Sequence, residues 1–240
     1  MRATFQGLPL ASAKIGWMHE RQMPPSSPRL DGPEAVRVQI LATEHWSLLA
    51  QRNIAYGAIF SRTSIFLTVV SAAVVALALV AQATEFDDGF HLFALLVLPI
   101  ALFIGVATYV RIIDGRLEDF WLVSGMNRLR HAYLEIAPEL EPYFVTGHHD
   151  DQRGVYETYG PGTEMRVYRI LAGTSMLVGV VDAALAGVVG GLIARALGAG
   201  SEVSLLIGAA LTVVIVGVLV YVSIRIIERG RRLLKPRFAR

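Results

Sequence analysis

Asp182 lies in the middle of an apolar run, VGVVDAALAG, thirteen residues from Arg169 on one side and Arg195 on the other. A carboxylate that faces lipid costs several kcal/mol. It must turn instead to a bundle interior, a water-filled cavity or a partner chain, or carry a proton. Two chemistries fit. One is a proton or cation site. The other is an interhelical hydrogen bond, to the hydroxyls of the first apolar segment or to Thr212.

Around this acid the small residues are patterned. Ser175, Gly179, Ala183, Gly187 and Gly191 follow one another at four-residue spacing. Ser204, Gly208 and Thr212 repeat it in the next segment. Such stripes let helix backbones approach closely. They predict tight packing between the two helices or across a homo-oligomer, with a pore lining as the rarer use. In the first apolar segment Ser61, Ser64, Thr68 and Ser71 share one helix face by their spacing. That face is expected to meet another helix.

Other side chains able to do chemistry are less well placed. His148, His149, Asp150 and Asp151 are adjacent, and adjacent residues on a regular element do not converge on one ion. They read as a solvated loop. Glu135, Glu139 and Glu141 flank prolines at a helix end and read the same way. His45 and His131 fall on amphipathic helices as packed or interfacial residues. The chain has no Cys, so no thiolate chemistry is open to it. It has no phosphate loop with its Lys, no GxGxxG after a strand, no Gly-x-Ser-x-Gly elbow and no HExxH. No enzyme, cofactor or metal site is expected.

The elements that must position these residues are helices. The 240-residue chain is 54% hydrophobic, and the excess lies in two blocks. Clustered apolar runs of that length mark membrane spans. Spans are expected at about 59–82, 92–113, 170–194 and 204–227, each long enough at about 1.5 Å per residue for a roughly 30 Å hydrocarbon core. Pro99 should kink the second. Residues 1–33, with MPPSSPRLDGP, read as a disordered tail. Residues 34–57 read as an amphipathic helix on Val38, Leu41, His45, Leu48 and Leu49, lying along the membrane or entering the first span. Thus 34–113 groups that helix with spans one and two. Residues 114–168 hold a helix and a loop, 169–227 spans three and four, and 228–240 a basic tail. The fold class expected is all-α, a four-helix integral membrane bundle with cytoplasmic amphipathic helices.

Charge placement orients it. Seven basic residues lie at or before Arg62, seven between Arg111 and Arg169, and seven from Arg225 onward; only Arg195 falls on the other side. Positive residues favour the cytoplasmic face, so both termini are expected there. The tail residues Arg229, Arg231, Arg232, Lys235, Arg237 and Arg240 predict contact with anionic lipid. Without aromatic interleaving they do not predict nucleic-acid binding. All basic residues but Lys14 and Lys235 are Arg, which fits a GC-rich bacterial genome and hence a cell (inner) membrane.

The run 41–113, an amphipathic lead-in (LATEHWSLLAQRNIAYG) followed by two spans with a tiny link, resembles the SLATT-type membrane domains of bacterial defence systems. That resemblance implies a membrane-disrupting or pore-forming effector. It covers under a third of the chain, rests on architecture, and carries over no residue. The chain departs from it by two further spans. The sequence therefore predicts a small oligomeric channel or transporter-like pore with Asp182 near the path. Its alternative is a non-catalytic scaffold or effector that presents cytoplasmic helices to a partner.

Overall fold

A computed structural model describes residues 32–160, 173–233 and 235–240. Nearly all of the expected N-terminal tail, residues 161–168 of the polar segment and the start of the third span lie outside the described residues. Val38–Arg240 form one compact unit, and the first residues of the first helix, through Arg37, fall to the N-terminal one.

Two long helices dominate. α1 spans Pro33–Thr84 and α2 spans Asp88–Ile136, 52 and 49 residues. The amphipathic lead-in and the first span are one continuous helix. So are the second span and the polar helix after it, and α2 continues through Pro99. Near the two junctions Gly57 and Gly115 interrupt the side chains, and one glycine costs a helix only about 1 kcal/mol. At about 1.5 Å per residue each helix is about 75 Å long, more than twice a roughly 30 Å hydrocarbon core.

The turn joining them is tight. Glu85 and Phe86 take left-handed φ values of 49° and 63°, which cost residues with a Cβ about 1 kcal/mol or more each. Asp87 then caps α2 by accepting from the Phe90 N–H at 3.0 Å. From that turn the helices run antiparallel. Phe66 lies beside Gly105, Ile59 beside Gly115, and Leu48 beside Gly125. Three glycines of α2, ten residues apart, thus each receive a large side chain of α1.

Two further helices follow, α4 at Thr174–Ala196 and α5 at Ser201–Leu233, after a short α3 at Gln152–Thr158. A 3-10 turn occupies Pro138–Tyr143. α1, α2, α4 and α5 are each long and apolar enough to cross a membrane. The fold is all-α, and among the described residues there is no strand. One apolar core, including Phe66, Leu98, Ile113 and Val178, joins α1, α2 and α4. A second and smaller one, Phe120, Val123, Met126 and Val155 with Leu48, joins α1, α2 and α3. It lies beyond the spans read from sequence, in a layer built on the far half of the hairpin.

Candidate functional site

Asp182 is fully buried, at 0% exposure. It projects from α4 into the notch that Gly105 leaves in α2. A Cβ at residue 105 would stand 1.7 Å from Asp182 Oδ1 and 2.6 Å from Phe66 Cε2. Neither carboxyl oxygen has a hydrogen-bond partner among the described residues. The interhelical bonds open to it from sequence are not made. Thr68 donates to the Ser64 carbonyl, and Thr212 to the Gly208 carbonyl.

The hydroxyl face of α1 turns the other way. Ser61, Ser64, Thr68 and Ser71 are all exposed. Among the described residues this face packs on no helix of the same chain. Spacing shows that four residues share a face, and the direction of that face depends on which stripe is more apolar. Phe66, Ala73 and Ile59 take the inward side.

The small-residue stripes do meet each other. A Cβ at Gly187 would lie 2.0 Å from Thr212 Oγ1 and 2.6 Å from the Gly208 carbonyl. Gly191 approaches the Ser204 carbonyl at 3.0 Å by the same measure, and Gly208 approaches that of Gly187 at 2.8 Å. Gly187, Gly191, Ser204, Gly208 and Thr212 therefore form the α4–α5 seam. Higher on α4, Gly179 faces the Tyr109 ring of α2, Ala183 is buried, and Ser175 accepts from Arg116 Nη1 at 3.2 Å. Tyr109 ties α2 to α5, pairing with Ser223 Oγ at 2.6 Å and donating to the Leu219 carbonyl at 3.1 Å.

Most polar contacts between elements lie beyond the spans. Arg52 Nε on α1 donates to Asp119 Oδ1 on α2 at 2.5 Å. Tyr159, just after α3, donates its hydroxyl to Asp119 Oδ2 at 2.6 Å. The Arg52 guanidinium also lies over the Tyr56 and Tyr159 rings, 5.5 and 5.8 Å from their centroids. Burial, then the charge of Asp119, pushes the Tyr159 phenol far above its ordinary value. Next to this group Asn127, at 0% exposure, has its bonds met: it donates to the His149 carbonyl and accepts from Arg130 and Thr158.

Asp150 corrects the solvated-loop reading. It is 0% exposed. Its carboxylate accepts from Arg128 Nε at 2.6 Å and from the backbone N–H groups of Arg237 and Phe238 at 2.9 and 2.8 Å. Burial alone would raise its carboxyl, but the two amides and the Arg128 guanidinium outweigh that and hold it below the usual carboxylate range. Asp151 caps α3 through the Gly154 N–H. The end of the basic tail is thus bound to the chain's own polar layer. Arg229 and Arg232, at the end of α5, are exposed. Sequence reasoning missed these partners because most are backbone amides or lie far along the chain. Among the described residues no cluster of three His, Asp or Glu side chains is arranged to hold a metal ion.

Compared with known proteins, the chain matches no family model, no curated relative and no solved structure.

Proposed function

We propose that this protein is a non-catalytic membrane scaffold or effector that presents a helical layer to a partner on the cytoplasmic side. The observation that supports it most is the continuity of α1 and α2 far past the length a bilayer needs. Only a rigid hairpin holds a layer at a fixed place and height, and this one is cross-tied by Arg52, Asp119 and Tyr159. The layer keeps large apolar side chains in the open, among them Trp46 at 71% and Tyr143 at 79% exposure. Exposed aromatics of this kind are what partner surfaces use. The bias of basic residues favours the cytoplasm for this layer and both termini. Exposed Arg229 and Arg232 suit anionic headgroups, and the outward hydroxyl face of α1 suits a second copy. The SLATT-type resemblance of 41–113 points to an effector of a bacterial inner membrane, and its membrane-disrupting or pore-forming sense belongs to the second reading.

A second reading rests on one observation, the two unpartnered oxygens of Asp182. An ionised carboxylate without a partner is costly in such a place. A proton or a cation would relieve it, as in an ion-conducting oligomer. Ion flux into liposomes holding purified protein, wild type beside Asp182→Asn, separates the two. The scaffold reading expects no flux above empty liposomes across pH and voltage. Flux that the substitution abolishes, in folded protein of the same oligomeric state, overturns it in favour of the pore.

A further inference from the structure

The C-terminal arm is held by polar groups of the layer beside a cluster of three histidines. Asp150 takes the amides of Arg237 and Phe238. Arg128, bound to the same carboxylate, also donates from Nη2 to the Lys235 carbonyl at 3.2 Å. The Phe238 ring lies on His131 of α2 with centroids 4.3 Å apart and planes within 25°. His148 and His149 stand behind it, 4.2 Å from each other and each 6.2 Å from His131. Arg240 closes the arm by donating from Nε to His149 Nδ1 at 3.4 Å, from Nη2 to Glu157 at 2.7 Å, and from its amide to Asp151 at 3.4 Å.

We propose that residues 235–240 are a pH-sensitive latch, docked on the α2–α3 layer near neutral pH and released when His149, the acceptor of Arg240, takes up a proton. His149 Nδ1 serves Arg240 as an acceptor, and a proton there turns acceptor into donor and sets two cations face to face. Burial, then His148 and Arg240, lowers the tendency of His149 to protonate, as expected of a docked state that prefers this ring neutral. The carboxylates facing the cluster are already engaged. Asp150 holds the arm, Asp151 caps α3 and Glu157 holds Arg240. Glu135 and Glu141 line a pocket of about 220 Å³ with His131 and His148. Release uncovers the His131 face on which Phe238 lies and frees the Arg240 guanidinium from Glu157.

By linkage, a ring whose proton affinity is lowered by docking leaves docking intact above the ordinary histidine value of about 6.5 and weakens it below. The test is hydrogen exchange of the Arg237 and Phe238 amides in the full-length protein, corrected for the intrinsic pH dependence of exchange. Between about pH 7.5 and about pH 5.5 their protection should fall about tenfold or more. The amides of Phe120–Met126 in the neighbouring core should keep theirs. His149→Gln should flatten the change, and so should the triple variant His131→Gln, His148→Gln, His149→Gln. Tail protection that does not change with pH in the wild type overturns the proposal, whether or not a variant folds. So does an undiminished change in a folded triple variant.

Discussion

Asp182 fills the space that a side chain at residue 105 would occupy: a Cβ on Gly105 would fall 1.7 Å from Asp182 Oδ1 and 2.7 Å from Cγ. The acid on α4 and the glycine on α2 are therefore one fitted contact. Gly105→Ala forces the carboxyl or the Phe66 ring to move, and overpacking of a buried contact costs about 1–3 kcal/mol. Asp182→Ala should cancel part of that loss, because it removes the nearer contact and leaves the Phe66 ring at 2.6 Å. Thermal unfolding in detergent of both single variants and the double variant measures it. Losses that simply add would show that the two residues do not share the space.

The α4–α5 seam predicts an unequal response from two glycines three residues apart. At Gly187 an added methyl meets the Gly208 carbonyl, which is backbone, at 2.6 Å. At Gly190 it meets only the end of the Leu211 side chain, at 2.5 Å. A leucine tip swings away and a backbone does not. Gly187→Ala should destabilise by about 2 kcal/mol more than Gly190→Ala. Thr212→Ala should rescue Gly187→Ala only in part, since it removes the hydroxyl at 2.0 Å but leaves the carbonyl. The same unfolding assay, run on the three variants and on the double, decides it.

These two contacts mark how much a sequence displays. The seam was legible, because Gly187, Gly191, Ser204, Gly208 and Thr212 repeat at four-residue spacing and backbone approach needs nothing else. The four apolar helices were legible from run length. Asp182 announced itself, yet its neighbour Gly105 did not, since nothing along the chain ties one to the other before folding. The face holding Ser61, Ser64, Thr68 and Ser71 was legible by period, but period alone does not say whether it turns to a helix of the same chain or outward, where it lies. Asp150 sat in a run of four polar residues that looks solvated. Its burial comes from Arg237 and Phe238 amides, and every residue type but proline offers such an amide.

Tyr109 joins α2 to α5 through a hydroxyl that serves both Ser223 Oγ and the Leu219 carbonyl. Tyr109→Phe keeps the ring against Gly179 and removes only that oxygen. A lost hydrogen bond of this kind costs about 1 kcal/mol. Ser223→Ala should cost less, because the tyrosine hydroxyl keeps the Leu219 carbonyl. A loss in Ser223→Ala as large as in Tyr109→Phe would show that the carbonyl bond contributes little.

Arg52 and Asp119 are the main tie across the hairpin beyond its apolar windows, with side chains only 24% and 12% exposed. Removing one partner of a largely buried pair leaves the other charge stranded. Arg52→Met or Asp119→Leu alone should cost about 2 kcal/mol, reduced from the fully buried case by the exposure of Arg52. The double variant should cost less than the sum of the two. Additive losses in chemical unfolding would mean that the pair is not coupled.

Tyr159 adds an alkaline limit to the same group. Burial first, and then the Asp119 charge, raise its phenol far above the ordinary value, so the folded protein holds a proton that the unfolded chain gives up near pH 10 or so. A group raised on folding contributes stability that is complete below its unfolded value and is lost as pH rises through the folded one. Stability should therefore hold up to about pH 10 and then fall, less steeply than for a fully buried phenol because Tyr159 is 36% exposed. Tyr159→Phe gives up the hydrogen bond to Asp119 and so starts lower at neutral pH. It has no proton to lose, and its curve above about pH 10 should be the flatter of the two. Unfolding followed from pH 8 to 11 or so would separate them. Parallel curves would mean that the phenol ionises in the folded layer as freely as in water, and that Asp119 does not hold its proton.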